Sequence, residues 1–185
     1  MLEGRQETRE LPVSITLYQG LPKAEKMELI EQKAVELGAA AIVTVEMHRS
    51  VVRLDEKKAA AKQKRWQAIA EAAAKQAGRS VIPEVALQLS FQEALRRVEA
   101  EGTELRLLPY ERSSGMAATR ELIRSVKAGQ RIAVMIGPEG GFEETEVEAA
   151  ENQGFHALTL GKRILRTETA GLVMLSLVMA ETEED

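Results

Sequence analysis

Two short segments in the last third of the 185-residue chain hold the residue types and spacings that could do chemistry. The first, Ile136-Gly137-Pro138-Glu139-Gly140-Gly141-Phe142, closes the apolar run RIAVMI. Gly137, Gly140 and Gly141 let backbone approach a ligand closely and adopt positive φ, while Pro138 fixes the turn between them, so a flat ring can rest against exposed peptide groups. The same residues also suit a tight strand-to-helix turn that binds nothing. The second, LGKRILRTETA from Leu160 to Ala170, sets Arg163 and Arg166 around Ile164 and Leu165. That mixture fits an apolar pocket with an anionic or polar neighbour, but apolar pairs are commonly core and surface arginines commonly solvated or ion-paired. Thr167 or Thr169 stands where it would cap a following helix.

Familiar glycine motifs do not fit. A phosphate-binding Walker loop needs four residues between its glycines and then lysine with serine or threonine, and neither feature is present. A dinucleotide fingerprint follows an early strand with GxGxxG spacing, whereas these glycines come late and are spaced differently. There is no cysteine and only two histidines, His48 and His156, which argues against disulfides, thiolate chemistry and a metal centre. The first residues lack the apolar core of a secretory signal and no apolar run has membrane-spanning length, so a cytoplasmic protein is expected.

The elements that must carry these loops can be read from periodicity. Residues 1–12 are polar and aperiodic, a linker or arm before a domain covering 13–185, whose first strand alternates Val13, Ile15, Leu17. Met27, Ile30, Ala34 and Leu37 mark one helical face that ends at Gly38, and AAIVTVEM is a strand. Glu56 to Ala77 is the longest helix, rich in Ala, Lys and Gln and stopped by Gly78. Ser90-Phe91-Gln92-Glu93 is a capping box opening a helix to about Gly102. Thereafter strands TELRLLPY, RIAVMI and HALTL alternate with helices near 117–126, 143–153 and the C-terminus, which implies α/β architecture with a parallel sheet covered on both sides.

Charge is distributed unevenly under a net −4. Between Arg49 and Arg79 nine basic residues meet three acidic ones, so one face could attract phosphates. Arg53, Lys62, Arg65, Gln76 and Arg79 are the candidate RNA contacts, against the plain alternative that lysines on a long helix form a solvated face. Trp66 and the three phenylalanines could stack on a base or simply fill the core.

GPEGGF followed by E-x-E and then LGKRILRTETA closely resembles the signature of the RsmE family within the SPOUT methyltransferases, and MELIEQKAVELG, the RSVV near position 50 and RWQAIAEAAAKQAGRSVIPEV look like that family too. The likeness runs from about Leu11 to Ala180. It implies an α/β fold with a deep C-terminal trefoil knot, a homodimer with each active site near the subunit interface, and S-adenosyl-L-methionine bound bent in the knotted loops. By resemblance the cofactor pocket comprises Leu108 and Pro109, then Ile136, Gly137, Pro138, Gly140 and Gly141, then Leu160, Gly161, Ile164, Leu165, Thr169 and Ala170. Family members of full length resemble two-domain proteins with an N-terminal β-barrel of PUA type. No such strands are found here, so the chain reads as truncated, with cofactor binding and dimerisation expected to survive.

The implied reaction is methyl transfer to N3 of a uridine in small-subunit ribosomal RNA, an in-line displacement in which the ring nitrogen must also lose its proton. Arg166 is the candidate for stabilising charge on the uracil oxygens and Glu139 the candidate base, with helix capping as the alternative for Glu139. A silent RNA-binding module of the same fold, or a knotted methyltransferase acting on another RNA, remain the competing functions.

Overall fold

Arg131–Ile136 is apolar at every position after the first, and a strand of that kind is satisfied only with both faces covered. The computed structural model, which describes residues 9–183, places it as β5 in the middle of a six-stranded sheet. Its companions are β1 (Ser14–Gly20), β2 (Ala41–Glu46), β3 (Glu84–Ser90), β4 (Leu105–Pro109) and β6 (His156–Leu158). The order is β3-β2-β1-β5-β4-β6 and every neighbouring pair is parallel. This is the sheet expected from the alternation of elements.

Six helices cover it: α1 (Ala24–Glu36), α2 (Glu56–Ala77), α3 (Phe91–Ala100), α4 (Met116–Arg124), α5 (Glu144–Asn152) and α6 (Thr167–Thr182). Successive strand residues point to opposite faces. Ile15, Leu17, Ile42 and Val134 therefore join Met27, Ile30, Trp66, Ile123, Met174 and Leu175 in one core layer. Tyr18, Val43, Ala133 and Met135 join Leu95, Val98, Val147 and Ala150 in the other. Trp66, Phe91, Phe142 and Phe155 are all buried, so these aromatic side chains fill the core and none stands out to stack on a base.

Local signals act as expected at several ends. Asp55 accepts from the Lys58 N–H at 2.8 Å, Gly78 closes α2 with φ +70°, and Ser90 with Glu93 forms the reciprocal capping box. Strand β3 was not foreseen. It is an edge strand whose pattern mixes buried Val85 and Ala86 with half-buried Gln88 and Leu89, and its register with β2 shifts between Val43 and Val45, so no period of two is visible. The expected arm at 1–12 lies partly outside the described residues. Its last residues pack on the domain: Glu10 pairs with Arg79, Leu11 lies against Gly38, and the Pro12 carbonyl accepts from Gly129 at 2.7 Å. Among the described residues no helix is long and apolar enough to cross a membrane.

Candidate active site

The sheet order reverses beside β1, which has β2 and β3 on one side and β5, β4 and β6 on the other, and ligands of open α/β sheets bind past the carboxyl ends of strands near such a switch. A cavity of about 370 Å³ opens there, displaced toward β5, β4 and β6, which end at Ile136, Pro109 and Leu158. Its walls are the turn 136–142, the loop 159–167, Pro109 to Glu111, Lys26 and Ala170.

The first turn is shaped by close approach. Gly141 adopts φ +71° and its N–H donates to the Pro138 carbonyl at 2.9 Å. A Cβ on Gly20, at the end of β1, would stand 2.5 Å from the Pro138 nitrogen, so only glycine lets β1 and this turn touch. Glu146, buried at the start of α5, accepts from the Glu143 N–H at 2.9 Å and the His48 N–H at 2.8 Å, which binds the turn to the segment after β2. Arg49 completes that clasp: Nε donates to Glu143 at 2.8 Å and Nη1 to the Gly140 carbonyl at 3.2 Å. This bond to Arg49, helped by His48 and opposed by partial burial, holds the Glu143 carboxyl below the ordinary carboxylate range.

The second loop leaves β6 at the sheet edge and returns to the centre, where α6 packs on α1, β5 and β1. Thr119 donates to the Thr159 carbonyl at 2.8 Å, and Thr159 Oγ1 accepts from the Gly161 N–H at 3.1 Å, where Gly161 has φ +119°. The two loops meet at Thr167. Its hydroxyl donates to the Gly137 carbonyl at 2.6 Å and accepts from Gln19 Nε2 at 2.8 Å, all three groups being buried. Neither Thr167 nor Thr169 caps α6 as expected; Arg166 is the N-cap residue and makes no side-chain cap bond. Thr167 lies inside the first turn instead, because its hydroxyl has a tertiary partner.

Of the expected cofactor residues, Pro109, Ile136, Gly137, Pro138, Gly141, Leu160, Gly161, Ile164, Leu165 and Ala170 line the cavity. Three do not. Leu108 points into the core and is fully buried, since its neighbour Pro109 takes the outward face of the same strand. Gly140 faces Arg49, whose Cβ would lie 2.8 Å from a Cβ placed there. Thr169 is exposed on α6 and absent from the lining. Residues not anticipated from sequence are Lys26, Tyr110, Glu111, Phe142 and Thr159; Phe142 packs edge-on against Tyr110 with ring centroids 6.5 Å apart. Tyr110 and Glu111 directly follow a strand end, a positional signal that would have found them.

Both proposed catalytic side chains reach the lining. Glu139, however, accepts from the Lys23 N–H at 3.1 Å and pairs with Lys26 at 3.6 Å, so its carboxylate docks the start of α1 and has no geometric standing as a free base. The alternative reading, capping of the helix that follows, is corrected as well: Glu139 serves α1, more than 100 residues earlier in the chain, and not α5. Lys26 also pairs with Glu168 at 3.2 Å; burial pulls that carboxyl upward, but its own backbone N–H, Lys26 and Arg166 hold it below the usual range.

The five expected RNA contacts do not converge on the cavity. Arg79 is corrected outright: its side chain is 4% exposed, donates to the carbonyls of Val35 and Ala39 at 3.0 and 2.6 Å, and pairs with Glu10, so it staples the end of α1. Arg65 pairs with Glu28 at 2.9 Å, Arg53 lies 3.8 Å from Glu46, and Lys62 sits over the Trp66 ring. Gln76 is exposed near the end of α2. Among the described residues no group of three or more metal-ligating side chains is found.

An all-parallel sheet with a cavity of peptide groups, apolar side chains and cations at adjoining strand ends defines an α/β domain built to hold a ring-bearing cofactor. Comparison with known proteins narrows that class. A sequence profile of the RNA methyltransferase domain matches residues 9–179. The chain is similar to ribosomal RNA small subunit methyltransferase E of Bacillus subtilis (strain 168), with 41% identity over 99% of this chain and 72% of the relative. It is also similar to the protein of that name from Synechocystis, with 36% identity over 99% of this chain and 58% of that one. Among solved structures, a putative methyltransferase from Legionella pneumophila with bound cofactor SAM superposes with a TM-score of 0.83, at 35% identity over 94% of this chain and 68% of that chain. The Neisseria gonorrhoeae ribosomal RNA small subunit methyltransferase E bound to S-adenosyl methionine does so with a TM-score of 0.80, at 37% identity over 92% and 68%. The chain belongs to the RNA methyltransferase domain family and, within it, to the ribosomal RNA small subunit methyltransferase E group.

Proposed function

We propose that this protein transfers the methyl group of S-adenosyl-L-methionine to N3 of a uridine in small-subunit ribosomal RNA, in the cytoplasm and as a homodimer. The observation that carries the reading is the junction of the two loops at Thr167, which encloses a cavity whose walls alternate peptide groups with Ile136, Leu160, Leu165 and Ala170. The site fits the cofactor: apolar walls take the adenine ring, exposed peptide groups of a glycine turn read its edge, and the volume lies in the range of small-molecule sites, about 300–1,000 Å³. When bound, the cofactor supplies an electrophilic methyl group.

The chain's own residues then have three tasks. The loops fix the angle of approach, since a displacement reaction is accelerated chiefly by alignment of the reacting atoms. Arg166, at the rim, offers a planar fork of donors to the uracil oxygens on which charge develops as N3 loses its proton. Glu111 also lies at the rim and, among the described residues, enters no ion pair or side-chain hydrogen bond; it replaces Glu139 as the carboxylate free to accept that proton. The return of the chain from the edge strand β6 to the sheet centre supports the knotted path that the family resemblance implies. Helix α6 supports the homodimer: from Ala170 to Ala180 Ser176 is its one polar side chain, yet Leu172, Val173 and Met179 are only half-buried, the condition of a helix awaiting a second apolar partner.

The test is calorimetric titration with S-adenosylhomocysteine, followed by methylation of small-subunit ribosomal RNA and mapping of the modified atom by mass spectrometry. Arg166→Ala is expected to keep cofactor affinity and lose at least a hundredfold in turnover, the scale of one lost charge-stabilising group. Full activity in that variant would refute its role. A folded protein that fails to bind S-adenosylhomocysteine would identify a silent RNA-binding module.

A further inference from the structure

The nine cations between Arg49 and Arg79 are the longest basic stretch of the sequence, but the structure spends many of them on ion pairs, a buried staple and a ring contact. Lys162 and Arg163 are different. Both are exposed on the second loop, both line the cavity, and among the described residues neither enters an ion pair or side-chain hydrogen bond. Between them and Arg166 stands Ile164, 84% exposed, the most exposed large apolar side chain in the described structure. Of the two carboxylates in the lining, Glu139 is held by Lys23 and Lys26, so the rim carries a net positive charge.

From this juxtaposition we infer that the Lys162-Arg163-Ile164 rim, and not the long helix α2, is where the RNA strand docks, as an unpaired segment whose backbone phosphates meet Lys162 and Arg163 while Ile164 packs on the face of a base. The inference rests on the reading of the cavity as a methyltransferase site. The chemistry demands a single strand, because N3 of uracil lies on the pairing edge and is inaccessible in a duplex. A nucleotide entering a cavity carries a phosphate on each side, so cations are needed at the mouth rather than on a remote face. An exposed aliphatic side chain next to them matches the ring that must leave its stack to enter.

The test measures binding of a fluorescein-labelled, uridine-containing single-stranded RNA dodecamer between 25 and 200 mM salt, for the parent chain, Lys162→Ala/Arg163→Ala, Ile164→Ser and the charge-matched control Lys57→Ala/Lys64→Ala. For single strands each lost phosphate contact lowers the slope of log K against log salt by about 0.7, so the double variant at the rim is expected to lose about 1.4 from that slope. The control pair on α2 is expected to keep it, and Ile164→Ser to weaken binding about fivefold at an unchanged slope. Thermal unfolding midpoints matching the parent establish that the variants are folded. Equal losses from rim and control pairs, or no salt-dependent RNA binding by the parent, would overturn the proposal. So would an Ile164→Ser variant that halves the mass in sedimentation while binding RNA normally, because the rim would then be covered by a second copy. Titration of the parent with S-adenosylhomocysteine separates the two readings: failure there defeats the cofactor site, whereas failure of the rim variants with cofactor binding intact defeats only the docking surface.

Discussion

Replacing Thr167 by valine removes one hydroxyl and almost nothing else, since the two side chains have nearly the same shape. The hydroxyl is buried, donates to the Gly137 carbonyl at 2.6 Å and accepts from Gln19 Nε2 at 2.8 Å. In the variant the carbonyl loses this partner without gaining water, and Gln19 keeps only the Gly20 carbonyl at 2.9 Å while its Oε1 already lacks one. A buried polar group left without its partner costs about 1–3 kcal/mol, so two such losses amount to roughly 2 to 4 kcal/mol after partial relaxation. Urea unfolding reads that figure directly. The bond also holds the glycine turn against the start of α6, and even about 1.4 kcal/mol of this cost expressed in the bound state weakens cofactor affinity tenfold. Calorimetry with S-adenosylhomocysteine should therefore show at least a tenfold rise in Kd for Thr167→Val, with Thr167→Ser, which restores the hydroxyl, within about threefold of the parent. A valine variant as stable as the parent and binding equally well would show that the two loops are held by something other than this bridge.

Two further outcomes follow from single side chains. Glu31 is fully buried on α1 with neither carboxylate oxygen hydrogen-bonded in the described structure, and burial pushes its pKa up from 4.5 to about 8. The folded state thus keeps a proton that the unfolded chain releases, and folded stability declines as pH rises from 4.5 toward 8, at about 1.4 kcal/mol per unit and roughly 5 kcal/mol in all. Glu31→Gln removes that titration, so its stability advantage measured by urea midpoints should be small at pH 5 and several kcal/mol at pH 8; a constant difference across this window contradicts the assignment. Gly20→Ala drives a Cβ to within 2.5 Å of the Pro138 nitrogen, a contact only backbone movement can relieve. It should cost about 1–3 kcal/mol of stability and weaken S-adenosylhomocysteine binding, and an unaffected Kd would mean that the turn moves without consequence.

Much of the scaffold was legible because it rests on local rules. The apolar run RIAVMI, the glycines that follow α1, α2 and α3 (Gly38, Gly78 and Gly102) and the Ser90 capping box act through their own neighbours, so their pattern survives translation into coordinates. Edge strand β3 escaped because half its residues face solvent and its register with β2 slips, leaving no period to read.

For the site, the chain by itself determined which segments would build it: Gly137 to Gly141 and Leu160 to Ala170 carry composition that open α/β sheets use at strand ends, and both line the cavity. Only the tertiary structure decided what each side chain does there. Gly140 is small for Arg49 and not for a ligand, Glu139 holds α1, and Arg79 is buried beneath Glu10 while Lys162 and Arg163, among the described residues, enter no ion pair. The physical reason is that a charge or hydroxyl takes its role from the partner that chain reversal brings to it, 116 residues away for Glu139 and Lys23 and 148 for Gln19 and Thr167. Partners at such separations leave no mark in spacing or composition.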